Sequence, residues 1–290
     1  MKNLLIPSAW KKLGTFLSYR DQQIFLRYEP SADKPALLLI HGFPTASWDW
    51  SMIWEELSAH FSLIAIDMIG FGFSDKPRRY TYSIFDQAEL HAAVLNQLGI
   101  KKVQLLVHDY GVTVAQELLA RQLERKDDFT IEQMVFLNGG LFPETHQPQR
   151  IQKLLASPIG PILGLLMSKK SLTRTFHNIF GPNTPPSEEE MDHFWELLTY
   201  NQGKMVIPKL IGYMAERRIW RERWVGALQK TPIPLRLING CMDPISGRHL
   251  AERYQVLVPN PVVVLLEDIG HYPQVEAPDR VLKAFFDFQA

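Results

Sequence analysis

The chain has one cysteine, Cys241, in 290 residues. That excludes an internal disulfide and a multi-cysteine metal site, and no metal or cofactor is expected. Charge of one sign is missing as well, because 31 Lys and Arg offset 31 Asp and Glu. Proteins that hold nucleic acid through its phosphates carry a cationic excess, so no nucleic-acid partner is expected. No stretch reaches the roughly 18 uninterrupted apolar residues of a membrane span. The nearest, Leu154–Met167, is broken by Pro158 and Pro161 and ends near two lysines. It reads as a short helix or turn covering apolar surface rather than as an anchor. Between Met1 and Leu17 the apolar run is too short for a signal peptide, and Lys11 and Lys12 follow it in place of a cleavage site. A cytoplasmic location follows as the expectation. Repeats and low-complexity tracts are absent.

What is present is ordinary globular composition, 46% hydrophobic and 21% charged. At about 150 residues per domain the length allows one large α/β domain or one domain with an insertion. The first part alternates strands and helices. Leu13–Ser18 and Gln23–Tyr28 suit an opening hairpin. Ala36–Ile40, Leu63–Asp67, Val103–Val107 and Gln133–Leu137 read as strands, the first three as buried ones. Trp50–His60, Ile84–Leu98 and Val112–Arg125 read as the helices between them. The rhythm then stops. Residues 142–231 hold helical patterns, such as Glu188–Tyr200 and Ile207–Trp220, and no clear strand. It resumes with Ile233–Ile238, Leu250–Leu257, Val262–Leu266 and a last helix from Pro278 to Phe288. Strands on both sides of an all-helical block predict one mostly parallel sheet, built from residues 1–141 and 232–290, with a helical cap of residues 142–231 inserted in it.

The chemistry gathers at loops that follow strands. In Val107-His108-Asp109-Tyr110-Gly111 a buried strand runs into a polar residue and a helix starts at once. This is the strand–turn–helix setting of a nucleophile elbow, with Asp109 in the central place and Gly111 where close packing is needed. The plainer reading of Asp109 is a helix N-cap. Asp243, in Gly240-Cys241-Met242-Asp243-Pro244, and His271, in Gly270-His271-Tyr272-Pro273, follow later strands. Singly, these read as a turn and a solvated histidine. Parallel strands, however, bring all three loops to one edge of the sheet. The His41-Gly42-Phe43-Pro44 turn follows Ala36–Ile40. Its Phe43 amide and the amide of Tyr110 are the candidate oxyanion donors. His41 is a candidate on the substrate side, with holding the loop as its other reading. Gly70-Phe71-Gly72-Phe73-Ser74-Asp75 reads as a turn, despite its Ser74 and Asp75. Cys241 has no partner to activate it and reads as a packing residue.

These motifs, in the order nucleophile, acid, histidine, resemble the α/β-hydrolase superfamily over nearly the whole chain. The His-Gly-Phe-Pro turn followed by Trp48 and Trp50, with His-Asp-Tyr-Gly at the elbow, looks like its epoxide hydrolase and haloalkane dehalogenase branch. A longer set is similar to the mesoderm-specific transcript family. It comprises Asp109-Tyr110-Gly111 with Ala115–Leu119, Asn138–His146, Arg223–Leu228 and Gly270–Gln274. The resemblance implies an α/β-hydrolase fold and an aspartate nucleophile. An ionised carboxylate needs no base to displace a leaving group from a saturated carbon. His271, oriented by Asp243, would then activate water against the enzyme ester. The implied substrate is small, uncharged and apolar, with water as co-substrate.

The departures from that branch are specific. Haloalkane dehalogenases place a tryptophan after the nucleophile and often an asparagine after His-Gly; here Tyr110 and Phe43 stand there, which points away from a halide. Epoxide hydrolases donate a proton from cap tyrosines, and the counterpart of the second one is here Trp224-Val225. Tyr200 and Tyr213 are the candidate hydroxyl donors, and His146 and Trp224 are further candidates at the pocket. The alternatives are the same machinery acting on haloalkanes or esters, and a non-enzymatic small-molecule receptor on the same fold.

Overall fold

The computed structural model describes residues 5–289, so residues 1–4 of the segment read for a signal peptide lie outside the described residues. Its eight-stranded sheet comprises β1 (Thr15–Tyr19), β2 (Gln22–Glu29), β3 (Ala36–Ile40), β4 (Ser62–Ile66), β5 (Lys102–Val107), β6 (Thr130–Phe136), β7 (Leu235–Gly240) and β8 (Val262–Leu266). Their order is β1-β2-β4-β3-β5-β6-β7-β8. The pairs β1–β2 and β2–β4 are antiparallel, and the pairs from β4 to β8 are parallel. β3 and β4 are buried along their whole length, as helices on both faces require. The opening hairpin turns at Arg20-Asp21, both at positive φ, as a two-residue hairpin loop demands.

The helices flanking the sheet follow the expected spans closely. The elbow helix is the informative difference: it runs Tyr110–Leu123 and starts two residues before the apolar pattern does, directly after Asp109. Between β6 and β7 the regular structure of the described residues is helical throughout, in seven α-helices from Arg150–Leu155 to Arg221–Lys230 and one 3-10 helix, Tyr200–Met205. The pattern read as one helix over Ile207–Trp220 is broken into Ile207–Leu210 and Tyr213–Ile219, with Gly212 at the break. Leu154–Met167 is likewise split, into the end of Arg150–Leu155 and the helix Gly160–Leu166. Among the described residues no helix is long and apolar enough to cross a membrane.

One clamp fastens the helical segment to the sheet side. Glu117 on the elbow helix accepts from Arg223 Nε at 2.6 Å and from Trp224 Nε1 at 2.8 Å. Trp224 is thereby a strut between two helices, packed against Phe85, rather than a wall of the pocket. An indole with a buried N–H needs a partner, and Glu117 supplies it away from the site.

Candidate active site

Asp109 closes β5 and opens the elbow helix with φ 45° and ψ −102°. A non-glycine residue there costs on the order of 1–3 kcal/mol, so its surroundings must hold it. They do: its N–H donates to Asn138 O at 2.8 Å, and Gly111 N–H donates to His108 O at 2.8 Å. Gly111 is required by contact, since a Cβ there would lie 2.5 Å from Ile40 O. The carboxylate does not cap the helix. Its Oδ2 instead accepts the Phe43 N–H at 2.9 Å, so the elbow and the His-Gly-Phe-Pro turn meet at the carboxylate.

Asp243 and His271 are brought to the same edge. His271 Nδ1 is 2.7 Å from Asp243 Oδ2, and its Nε2 is 3.9 Å from Asp109 Oδ1. All three side chains are buried. Asp243 also accepts from Ile245 N–H at 2.7 Å, Ser246 Oγ at 2.6 Å and Asn138 Nδ2 at 3.0 Å. Burial pushes the Asp243 carboxyl up, but the charge of His271 and these donors outweigh it and hold the pKa at about 2. Burial pulls His271 down, but Asp243 and then Asp109 carry it up to about 9. The two carboxylates on either side thus favour the charged form of the ring.

The remaining expected residues divide. Tyr213 comes to the site from the helical segment. Its ring lies 5.0 Å from that of Tyr110 and 5.9 Å from that of Phe43. Its hydroxyl is buried without a hydrogen-bond partner. Burial and the Asp109 charge push its pKa above the tyrosine range. His146 is half-buried near Asp243 and Arg217, with both ring nitrogens buried and unbonded, and burial pulls its pKa down to about 3. Tyr110 is buried, and its amide opens the elbow helix. Tyr200 is not at the site: its hydroxyl accepts from Lys11 Nζ at 2.8 Å and its ring packs on Phe73. His41 does not line the cavity and holds the loop, with Nδ1 2.8 Å from Gly42 O and Nε2 accepting from Met68 N–H at 3.1 Å. Both of its nitrogens are spent on loop backbone, which leaves none for a ligand. Ser74 likewise serves its turn, donating to Asp67 O and accepting from Phe25 N–H.

Three residues here had no role assigned from sequence. Asn138 donates through its side-chain amide to Gly240 O, Asp243 Oδ2 and Ser246 O, while its backbone carbonyl accepts the Asp109 N–H. His108 Nε2 is 2.7 Å from His271 O and steadies that loop. Arg217 reaches down from the helix Tyr213–Ile219, with Nε to Thr113 Oγ1 at 2.6 Å and Nη2 to Asp109 O at 3.1 Å. Its one sequence signal is spacing, a cation one helical turn after Tyr213.

Asp109 and His271 open onto a cavity of about 360 Å³. Phe43 and Ile245 line it from the sheet side, and Leu155, Leu163, Phe176 and Ile207 of the helical segment add apolar walls. A concave apolar space with a few convergent polar groups suits a small apolar ligand.

The chain matches the alpha/beta hydrolase fold family over residues 35–278. It is 43% identical to the mesoderm-specific transcript homolog protein of Bos taurus, over 97% of this chain and 87% of that protein. It is 38% identical to the "Putative hydrolase LipZ" of Mycobacterium tuberculosis, over 95% of each. Among solved structures, an alpha/beta hydrolase fold protein from Burkholderia ambifaria superposes with a TM-score of 0.80 at 18% identity, covering 95% of this chain and 97% of that one.

Proposed function

This chain belongs to the α/β-hydrolase fold family, and from that premise we propose a hydrolase that works through a covalent alkyl ester on Asp109, with epoxide-hydrolase-like chemistry on a small apolar substrate. One observation carries the reading. Asp109 offers Oδ2 to the Phe43 amide while Oδ1 faces the His271 ring. That is the division an aspartate nucleophile needs. One oxygen attacks, and the other becomes the ester carbonyl oxygen, already beside a donor for the later oxyanion.

The protonation states fit two steps. Ionised Asp109 attacks a saturated carbon, and the carbon–oxygen bond of the ring breaks towards oxygen. Tyr213, with its unpartnered buried hydroxyl, donates a hydrogen bond to the leaving oxygen. Ester formation removes the Asp109 charge, one of those that raise His271. The imidazolium then gives up its proton more readily, and the alkoxide takes one, so the first step prepares the base for the second. Neutral His271, held by Asp243, activates water against the ester carbonyl, and hydrolysis regenerates Asp109. The helical segment acts as a cap that excludes bulk water from the cavity.

Trapping tests this directly. His271→Gln should form the ester and fail to release it, so incubation with epoxides, haloalkanes and esters followed by intact-mass measurement should show an epoxide adduct on a peptide containing Asp109. Turnover that survives Asp109→Ala would sink the mechanism. An adduct with haloalkanes alone would replace the leaving group, and saturable binding without turnover would favour a receptor.

A further inference from the structure

The helix Gly160–Leu166 is built inside out. Gly160 and Gly164 are its buried residues. A Cβ on Gly164 would lie 2.8 Å from Lys204 O, so the inward face admits only glycine. Ile159, Ile162, Leu165 and Leu166 fall on the opposite face by their three- and four-residue spacing, and Ile162 and Leu166 are 61% and 72% exposed. Leu154, on the preceding helix, is exposed with them. A helix that packs through glycine and shows water its largest apolar side chains leaves its apolar face unpartnered.

Charge around this face says what covers it. Residues 145–187 contain no Asp or Glu, whereas Arg150, Lys153, Lys169, Lys170 and Arg174 all fall within them. In a chain of zero net charge this is a strong segregation. Lys169 pairs with Asp192. Among the described residues, no ion pair engages Arg150, Lys153, Lys170 or Arg174. Apolar side chains flanked in the sequence by cations outside any ion pair, Arg150 and Lys153 before them and Lys170 and Arg174 after, are complementary to the acyl boundary and headgroups of an anionic bilayer.

The same element borders the cavity. Leu163, Leu166 and Met167 line it together with Leu155. Leu166 is thus both cavity wall and exposed surface, which puts it at the rim. We infer that the outward face of residues 154–166 seats on an anionic membrane surface, so that the cavity mouth opens against lipid. On the catalytic reading above, the substrate would be an apolar compound that partitions into bilayers and enters from them.

Vesicle flotation of the full chain tests the docking without depending on the chemistry. The protein should float with phosphatidylcholine–phosphatidylglycerol vesicles, far less with phosphatidylcholine alone, and less as salt rises. Ile162→Ser with Leu165→Ser, which touch neither the cavity nor the core, should weaken flotation by about tenfold or more. Lys153→Gln and Lys170→Gln should each weaken it by about fivefold. Asp109→Asn should float like the parent, which separates failure of docking from failure of the mechanism. No flotation, or flotation indifferent to the serine pair with melting unchanged, overturns the proposal. A dimer in light scattering that the serine pair converts to monomer overturns it in favour of a second copy on this face.

Discussion

The sheet edge and the helical segment above it are built on opposite terms. At the sheet edge the acid is densely bonded: Asp243 accepts from His271, Ile245, Ser246 and Asn138, and Asn138 spans the nucleophile and acid loops. The helical segment consists of short helices that are marginal alone and depend on packing. Its contributions to the site are left with unpartnered atoms, the Tyr213 hydroxyl, Arg217 Nη1 and both His146 nitrogens. Buried polar atoms without partners are costly unless a ligand or water completes them. The contrast locates two tasks. On the proposed mechanism the bond-making groups sit in the densely bonded loops, and Tyr213, from the helical segment, keeps its hydroxyl free for the leaving oxygen.

The contrast breaks if substitutions on the two sides have similar consequences. Asp109→Ala should cost the most, lowering kcat by about a thousandfold or more on any substrate that traps on His271→Gln. Tyr213→Phe should lower kcat by about a hundredfold for substrates that leave as an alkoxide, and little for halides, which need no proton. Equal losses on both classes would make Tyr213 a packing residue. Arg217→Met should lower kcat by about tenfold and leave KM nearly unchanged, because the side chain holds the elbow's backbone and does not line the cavity. A change confined to KM would contradict that role.

Stability against pH sharpens the comparison at smaller amplitude. His271 is raised to about 9. Its contribution is therefore complete below its ordinary value near 6.5 and is lost as pH rises through 9. Asp243 is lowered to about 2, so its contribution is present above its ordinary 3.8 and is lost as pH falls through 2. His146 is lowered to about 3 by burial, so it weakens the fold as pH falls from 6.5 towards 3. Urea titrations should show His271→Gln abolishing the alkaline loss and His146→Phe reducing the acid loss, by about 1.4 kcal/mol for each pH unit over which one group titrates.

The legible parts of the molecule were those with local causes. A buried strand followed at once by a polar residue and a helix is visible within five residues, and parallel topology then places Asp109, Asp243 and His271 on one edge. The start of the elbow helix was less legible, because Tyr110 and Gly111 enter it through the backbone strain at Asp109 rather than through an apolar stripe. Trp224 and Tyr200 look alike as cap aromatics in the sequence. Only the partners Glu117 and Lys11, more than 100 positions away, turn both from the cavity. Leu154–Met167 follows the same logic in reverse. Its apolar spacing suggests a covered surface, and two glycines invert which face is covered.

Arg217 has a consequence for how the molecule opens. It grows from the same short helix as Tyr213, yet it grips the carbonyl of the strained residue at the elbow. Any rise of that helix from the sheet breaks this grip along with the one on Thr113. On the proposed reading, admission and readiness are interlocked: a cap that moves to let a molecule in or out also loosens the residue that reacts with it. A nucleophile so held would keep its full posture only with the door shut.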